Sequence, residues 1–264
     1  MSDSGFLTSS DLRLGFIKPI GQAWRPVVYS AVDGVGVLEG CILLGNVADL
    51  EATATLIRAN PQALQDPDFQ PLGVGIKGEQ FRWPNKTVPF TIDSSLPSPQ
   101  RVHDAISHWR TKTSLTFRQR QSGDKNFINF KPVPKGCASH VGMRGGQQDI
   151  VLSPLCPTGS VIHEIGHAVG LWHEQSRADR DTKIKVIFSN IEPIHRHNFE
   201  QHIVDGVDLG EYDFRSIMHY PADAFSSTDQ PTIVPLQPLP AGVVLGQRDG
   251  LSVGDIAAVE RLYA

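Results

Sequence analysis

The sequence predicts an α+β protein, on three observations. Short β-branched and aromatic runs alternate with a capped helix across residues 88–152, an apolar helix bearing histidines follows, and a long Gly/Pro-punctuated stretch separates it from a capped terminal helix. Runs of this length with those residue types read as strands, and the intervening apolar stripes at helical spacing read as covering layers.

The elements follow in order. Residues 27–32 and 42–45 read as short strands, and 47–60 as a helix with Leu50, Ala54 and Ile57 on one face. Residues 61–75 hold three prolines and two glycines, the punctuation of a linker, so the chain divides into residues 1–73 and 74–264. Residues 88–92 are strand-like. Ser98 reads as a cap and Pro99 as the first position of a helix whose stripe is Val102, Ile106 and Trp109. Residues 115–117, 127–130 and 149–152 read as further strands, giving a mixed sheet. Residues 161–172 form an apolar helix, and 174–250 are mostly irregular. Ser252 and Asp255 then make a capping-box pattern before Ile256, Val259 and Leu262.

Composition excludes several classes. With 40% hydrophobic and 20% charged residues, the chain of 264 is ordinary globular material rather than mainly disordered. A net charge of −4 argues against a polyanion-binding face, so no nucleic-acid partner is expected. No apolar run approaches the ~18 residues of a membrane span, and a monomer off the membrane is expected. All ten histidines lie after residue 100, whereas residues 1–73 carry four basic and eight acidic residues. One part is acidic; the other is rich in metal-ligand types.

The decisive segment runs from His163 to His173. At 3.6 residues per turn, His163 and His167 share one helix face and can reach one ion at roughly 2.0–2.1 Å. Glu164 points to the flank of that face, where a carboxylate can take a proton from a water. Gly170 lets the helix end, so that His173 approaches from outside it. Three neutral imidazoles with an open position are the mark of a catalytic rather than a structural zinc site.

These eleven residues match the metzincin pattern, and the chain beyond them resembles the astacin family. His173-Glu174-Gln175-Ser176-Arg177-Ala178-Asp179-Arg180-Asp181 is similar to the stretch after the third histidine in that family, and Ser216-Ile217-Met218-His219-Tyr220 is similar to its Met-turn. The resemblance extends from about Trp83 to Tyr263. It implies a two-lobed zinc metalloendopeptidase acting on protein or peptide substrates: a mixed twisted sheet with helices in the first lobe, and a mostly irregular second lobe with a terminal helix. It implies zinc held by His163, His167 and His173, with Tyr220 as a labile extra ligand that turns to the oxyanion, and Glu164 as general base toward a zinc-activated water. Residues 138–141 resemble the family's edge strand above the cleft. His219 is expected to support the turn, and His195, His197 and His202 are expected on an exposed helix.

The same resemblance pairs Cys137 with Cys156 in a disulfide. That bond favours an oxidising compartment and a secreted protein, although no secretory signal is visible at the start of this chain. It also casts residues 1–73 as an inhibitory prosegment removed by an activating protease, either a separate one or the enzyme itself. The mature chain would then begin near Val74, with Glu174 anchoring its new amino terminus. Gly40-Cys41 stands where the family's prosegments carry Gly-Asp, so Cys41 is expected to ligate zinc in the latent form only, a thiolate being an excellent zinc ligand. A peptide-binding module that had lost catalysis would be expected to lack Glu164 or one histidine, and none is missing.

Overall fold

The structure, a computed structural model, describes residues 5–18, 24–65, 81–202 and 206–264. The front part forms β1 (Leu12–Ile17), β2 (Arg25–Val32), β3 (Val35–Leu38), β4 (Ile42–Asn46) and α1 (Val47–Ala59). After it come β5 (Thr87–Ile92), α2 (Gln100–Lys112), β6 (Thr116–Gln119), β7 (Phe127–Pro132), β8 (Cys137–Ser139), β9 (Gln147–Leu152) and α3 (Thr158–Ala168). Beyond α3 there are short 3₁₀ turns, β10 (Ile184–Val186), β11 (Ile233–Pro235) and the terminal α4 (Val253–Leu262). Part of the linker, 66–75, with the boundary at 73/74, lies outside the described residues.

Among the described residues, nine strands form one mixed sheet in the order β1-β2-β3-β4-β8-β9-β7-β5-β6. Strands β5, β6, β7 and β9 run parallel, and β8 is antiparallel to β9. Parallel neighbours need crossover connections, and α2 supplies the one between β5 and β6. One apolar core lies between the sheet and α2, α3 and α4, with Trp109, Phe117, Phe130, Ile150, Ile165 and Val259 inside it. A second core, with Ile184, Phe199, Tyr212, Tyr220 and Leu245, fills the part beyond α3. The small β10–β11 pair gives that mostly irregular part its one described sheet.

The front strands continue the same sheet. β4 lies parallel to β8, with Ile42 opposite Ser139, so the edge that residues 138–141 would offer is already filled. Two of these front strands, β1 and β3, go beyond the sequence reading. β2 and β3 are joined by Asp33-Gly34, with φ of 48° and 81°. Two consecutive positive φ values make the tight turn that Asp-Gly favours between right-twisted strands, and that dipeptide was the available signal. α1 begins as its Asn46 cap dictates, with the side chain accepting from Ala48 N at 2.8 Å.

Two helix starts differ from expectation. Ser98 does not cap α2: it has φ 51°, and no side chain caps that helix; its carbonyl instead receives Arg101 N at 3.4 Å. α3 begins at Thr158 and ends at Ala168, because Gly170, at φ 113°, turns the chain out of the helix. By contrast Ser252 and Asp255 form a full capping box at the start of α4.

Cys137 and Cys156 are disulfide-bonded, closing a 19-residue separation between β8 and the start of α3. Constraint of the unfolded chain by a loop of this size is worth about 3 kcal/mol. The Cys137→Ser, Cys156→Ser double variant is therefore expected to lose about that much stability in denaturant titration while keeping its far-UV spectrum.

Candidate metal centre

α3 carries His163 and His167, one turn apart, on its inward face. Three indole and phenol groups fix the helix itself: Trp109 Nε1 donates to Ile162 O (3.1 Å), Trp83 Nε1 to Ala168 O (2.9 Å) and Tyr263 Oη to Val169 O (3.0 Å). The bonds to Ala168 O and Val169 O satisfy carbonyls that the helix end leaves unpaired, and the one to Ile162 O pins the middle of the helix. After Gly170 the chain reverses and brings His173 to the same point. The Met-turn closes the site from below. Gly166 is required there, since a Cβ on it would meet Met218 Sδ at 2.6 Å.

Each imidazole is oriented through its outer nitrogen. His163 Nδ1 donates to Ile217 O (2.8 Å), His167 Nδ1 to Leu171 O (2.8 Å) and His173 Nδ1 to Glu39 Oε2 (2.5 Å). Carbonyl and carboxylate oxygens only accept, so all three Nδ1 atoms carry the hydrogen and all three Nε2 lone pairs face inward. Cys41 Sγ lies between them, 3.7, 3.4 and 3.2 Å from His163, His167 and His173 Nε2. These four ligand atoms all lie within 4.8 Å of one another, and all four residues are buried.

This donor set fits zinc. A tetrahedron with metal–nitrogen and metal–sulfur bonds of about 2.05 and 2.3 Å has nitrogen–sulfur edges of about 3.5 Å, the spacing found here. Burial pushes the pKa of His163 and His167 well below 6.5, and that of His173 down too, so the imidazoles are held in their neutral, ligating form. Burial, with Glu164 and Glu39 nearby, pushes the Cys41 thiol up, so a thiolate there calls for a cation among the imidazoles.

Glu164 stands outside the cluster of four. It is buried, and its Oε2 has no hydrogen-bond partner among the described residues. Burial raises its pKa well above 4.5, against a smaller opposing effect of Arg248. Tyr220 is fully buried, and its hydroxyl donates to Glu39 O at 2.7 Å. His219 sits in the turn, with Nδ1 donating to Tyr220 O (2.7 Å) and Nε2 accepting from Tyr212 Oη (2.7 Å).

Residues 75–264 match the sequence model of the astacin peptidase family. The chain belongs to the astacin family. It is 39% identical over 193 residues to zinc metalloproteinase nas-13 of Caenorhabditis elegans, covering 71% of this chain and 42% of that protein. It is 40% identical over 190 residues to bone morphogenetic protein 1 of Xenopus laevis, covering 69% of this chain and 27% of that one. The chain thus spans less than half the length of these curated relatives. Among solved structures it is similar to high choriolytic enzyme 1, a hatching enzyme zinc-protease of medaka, with 36% identity and a TM-score of 0.61 over 69% of this chain and 92% of that one. Zinc is therefore the metal for which this astacin's histidines are set.

Two residues of the site escaped the sequence reading, and a third was misplaced by it. Glu39, at the tip of the β3–β4 hairpin, is buried and reaches His173, His202 and Ser176. Its left-handed backbone, φ 49°, with Gly40 at 69°, turns the hairpin tip into the site. Trp172 forms the wall beside it. His202 is not on an exposed helix: it is buried, stacked on Trp172 at 3.7 Å between ring centroids. His195 and His197 are half-buried, in the 3₁₀ segment Pro193–Phe199. An acidic residue two before the odd cysteine was the only signal for Glu39.

The neutral buried histidines set a pH dependence. Burial holds His219 down to about 4, and the unfolded chain would titrate it near 6.5. Between those values the unfolded state binds the proton and the folded state does not, so stability is full above 6.5 and is lost as pH falls toward 4. The metal-free protein's melting temperature is expected to fall from pH 7 to pH 5, with a shallower slope in His219→Gln.

Proposed function

We propose that the protein is a latent zinc endopeptidase in which residues 74–264 form the catalytic domain and residues 1–73 its inhibitory prosegment. One observation carries the reading: three inward-facing Nε2 atoms converge on one point, and the sulfur of a front-piece cysteine is seated there. His163, His167 and His173 hold the zinc, and Cys41 is the fourth ligand in the uncut chain. When bound, zinc supplies a Lewis acid that polarises a peptide carbonyl and lowers the pKa of water toward about 7.

The chain's own groups do the rest. Cys41 Sγ fills the position among the three Nε2 atoms that a water or a peptide carbonyl would need. β4 lies on β8 and denies the substrate a strand edge on which to align. Once the front part leaves, Glu164 Oε2, which has no hydrogen-bond partner among the described residues, accepts the proton of the attacking water and returns it to the leaving amine. Tyr220, released from Glu39 O, turns its hydroxyl toward the developing oxyanion. The tilt of its ring against His173, with centroids 4.7 Å apart, keeps it within reach of the reacting centre.

Glu174 supports the assignment of activation to cleavage near Val74. Its half-buried carboxyl lines a cavity of about 130 Å³, where Oε1 accepts from Asp213 N at 2.8 Å with Arg177 at 3.6 Å, and burial lifts its pKa to about 8. A carboxyl open to a cavity in this way suits a new terminal ammonium as partner. The disulfide is in keeping with export to an oxidising compartment.

Zinc binding and catalysis should separate by residue. Glu164→Gln is expected to keep one zinc per chain in elemental analysis yet lose casein cleavage after activation, whereas His167→Ala should lose both. Loss of zinc from a folded Glu164→Gln protein would remove Glu164 from the role of base.

The latent ligand set can be read directly. X-ray absorption on the uncut, zinc-loaded protein is expected to give one sulfur and three nitrogens around the metal, and Cys41→Ala should lose the sulfur and shed its front part by self-cleavage sooner than the unaltered chain. A shell of nitrogen and oxygen alone would leave Cys41 as a packing residue.

A further inference from the structure

The hairpin tip is not the only front segment at the cleft. Residues 5–8, which precede β1 and belong to no helix or strand, form an arm across it. Cys137 N donates to Gly5 O at 3.1 Å, and Leu7 N donates to Gly40 O at 2.6 Å. The first bond fastens the arm to the part beyond the linker, and the second fastens it to the hairpin tip. Ser139 N donates to Cys41 O at 3.0 Å. The two N–H groups of β8 that face away from β9 are therefore satisfied by two different front segments, the arm and the tip.

The side chains of the arm are fitted on both sides. The Phe6 ring stacks on Phe225 at 4.4 Å between centroids, with an interplanar angle of 14°, and tilts against Tyr220 at 5.2 Å. It fills space above Gly40, where a Cβ would meet Phe6 Cδ1 at 2.9 Å and Phe225 Cζ at 3.0 Å. Leu7 fills the space above Gly136 in the same way, its Cδ2 lying 2.7 Å from where a Cβ would stand. Leu7 also packs on the apolar cluster that holds Cys41, Leu43, Ala138 and Val151.

We infer that residues 5–8 are a latch that keeps the hairpin tip, and with it the Cys41 sulfur, seated among the imidazoles, and that the tip withdraws only after the arm has lifted. The inference rests on the latent-peptidase reading above for its consequence, the control of activation. The arm bonds the tip and the part beyond the linker at once, so while it is seated neither can move away from the other. Phe6 also bears on Tyr220, whose hydroxyl donates to Glu39 O, so the arm braces a side chain that itself holds the tip. Its base stays behind when it lifts, because Ala31 N donates to Asp11 O at 2.8 Å and ties the start of β1 to β2. Neither Phe6 nor Leu7 belongs to the front core around Tyr29 and Leu50, so the arm can open while that core stays folded.

The test uses the full chain, zinc-loaded and uncut. Cys41 is its free thiol, since Cys137 and Cys156 are disulfide-bonded, so the rate of reaction with a chromogenic disulfide reagent reports opening of the tip. Phe6→Ala is expected to react about tenfold faster, the yield of one stacked aromatic pair. Ile17→Val, which thins the front core at the far end of β1, is expected to change the rate by less than about twofold, because opening of the arm leaves that core intact. A chain shortened to begin at Thr8 takes the place of Phe6→Ala if that variant does not fold. An unchanged rate in the folded arm variant, or an equal acceleration by Ile17→Val, overturns the latch. Labelling needs no catalysis. If no chain cuts casein after activation, the peptidase reading fails, and the thiol rates alone decide the latch.

Discussion

The orientation of three imidazole rings is the constraint on which the rest of the structure depends. A histidine can present either nitrogen, and the hydrogen bond made by the outer one decides which lone pair is left for a metal. Here the acceptors come from three separate places: the Met-turn carbonyl of Ile217, the carbonyl of Leu171 just past α3, and the carboxylate of Glu39 in the front hairpin. Much of the surrounding architecture serves to hold those oxygens still. Asp255 accepts from Ser216 Oγ and Ile217 N, so the capping box of α4 also fastens the Met-turn. Arg248 donates to the same Ile217 carbonyl at 2.9 Å. Gln175 Oε1 accepts from Tyr220 N, and Met218 O from Glu174 N, which ties the turn to the segment after His173.

That third acceptor gives the front part a double character. It extends the sheet of the family fold by four strands and has a core of its own, with Tyr29, Ile42, Leu44 and Leu50 buried against Val141. Yet its hairpin tip enters the site as an occupant. Burial alone would raise the Glu39 carboxyl's pKa, but His202 and His173 outweigh it and hold the group below its ordinary value. Such a charge is tolerable without solvent only where donors surround it. The neighbouring Phe6 stacks on Phe225 at 4.4 Å and tilts against Tyr220, so an apolar contact accompanies the polar one.

Much of this was legible without coordinates, and the reasons are local. α1 follows from an asparagine cap and a stripe at helical spacing; α4 follows from a serine and an aspartate three residues apart, each pairing with the other's backbone. The register of His163 and His167 is a property of any helix, and the exit at Gly170 follows from the freedom of glycine at positive φ. The start of α2 was not legible, because Ser98 adopts a left-handed conformation that takes its hydroxyl out of the capping position. β1 and β3 were missed although their partners are near in sequence, Ile17 facing Arg25 and Leu38 facing Ile42; each carries a glycine, and β1 an arginine, which weakens the β-forming run.

The sequence by itself determined the family, the metal-ligand residue types and the helix that spaces two of them, since these depend on contacts within a few residues. Only the tertiary structure decided what stands around them. His202 is nearly thirty residues beyond His173 and reaches the site through its stack on Trp172; Glu39 is 134 positions before His173 and reaches it because β4 docks on β8. No periodicity or spacing encodes such a meeting. It depends on which sheet edge is free and which buried donors lack an acceptor, and those become defined only when the whole chain is packed.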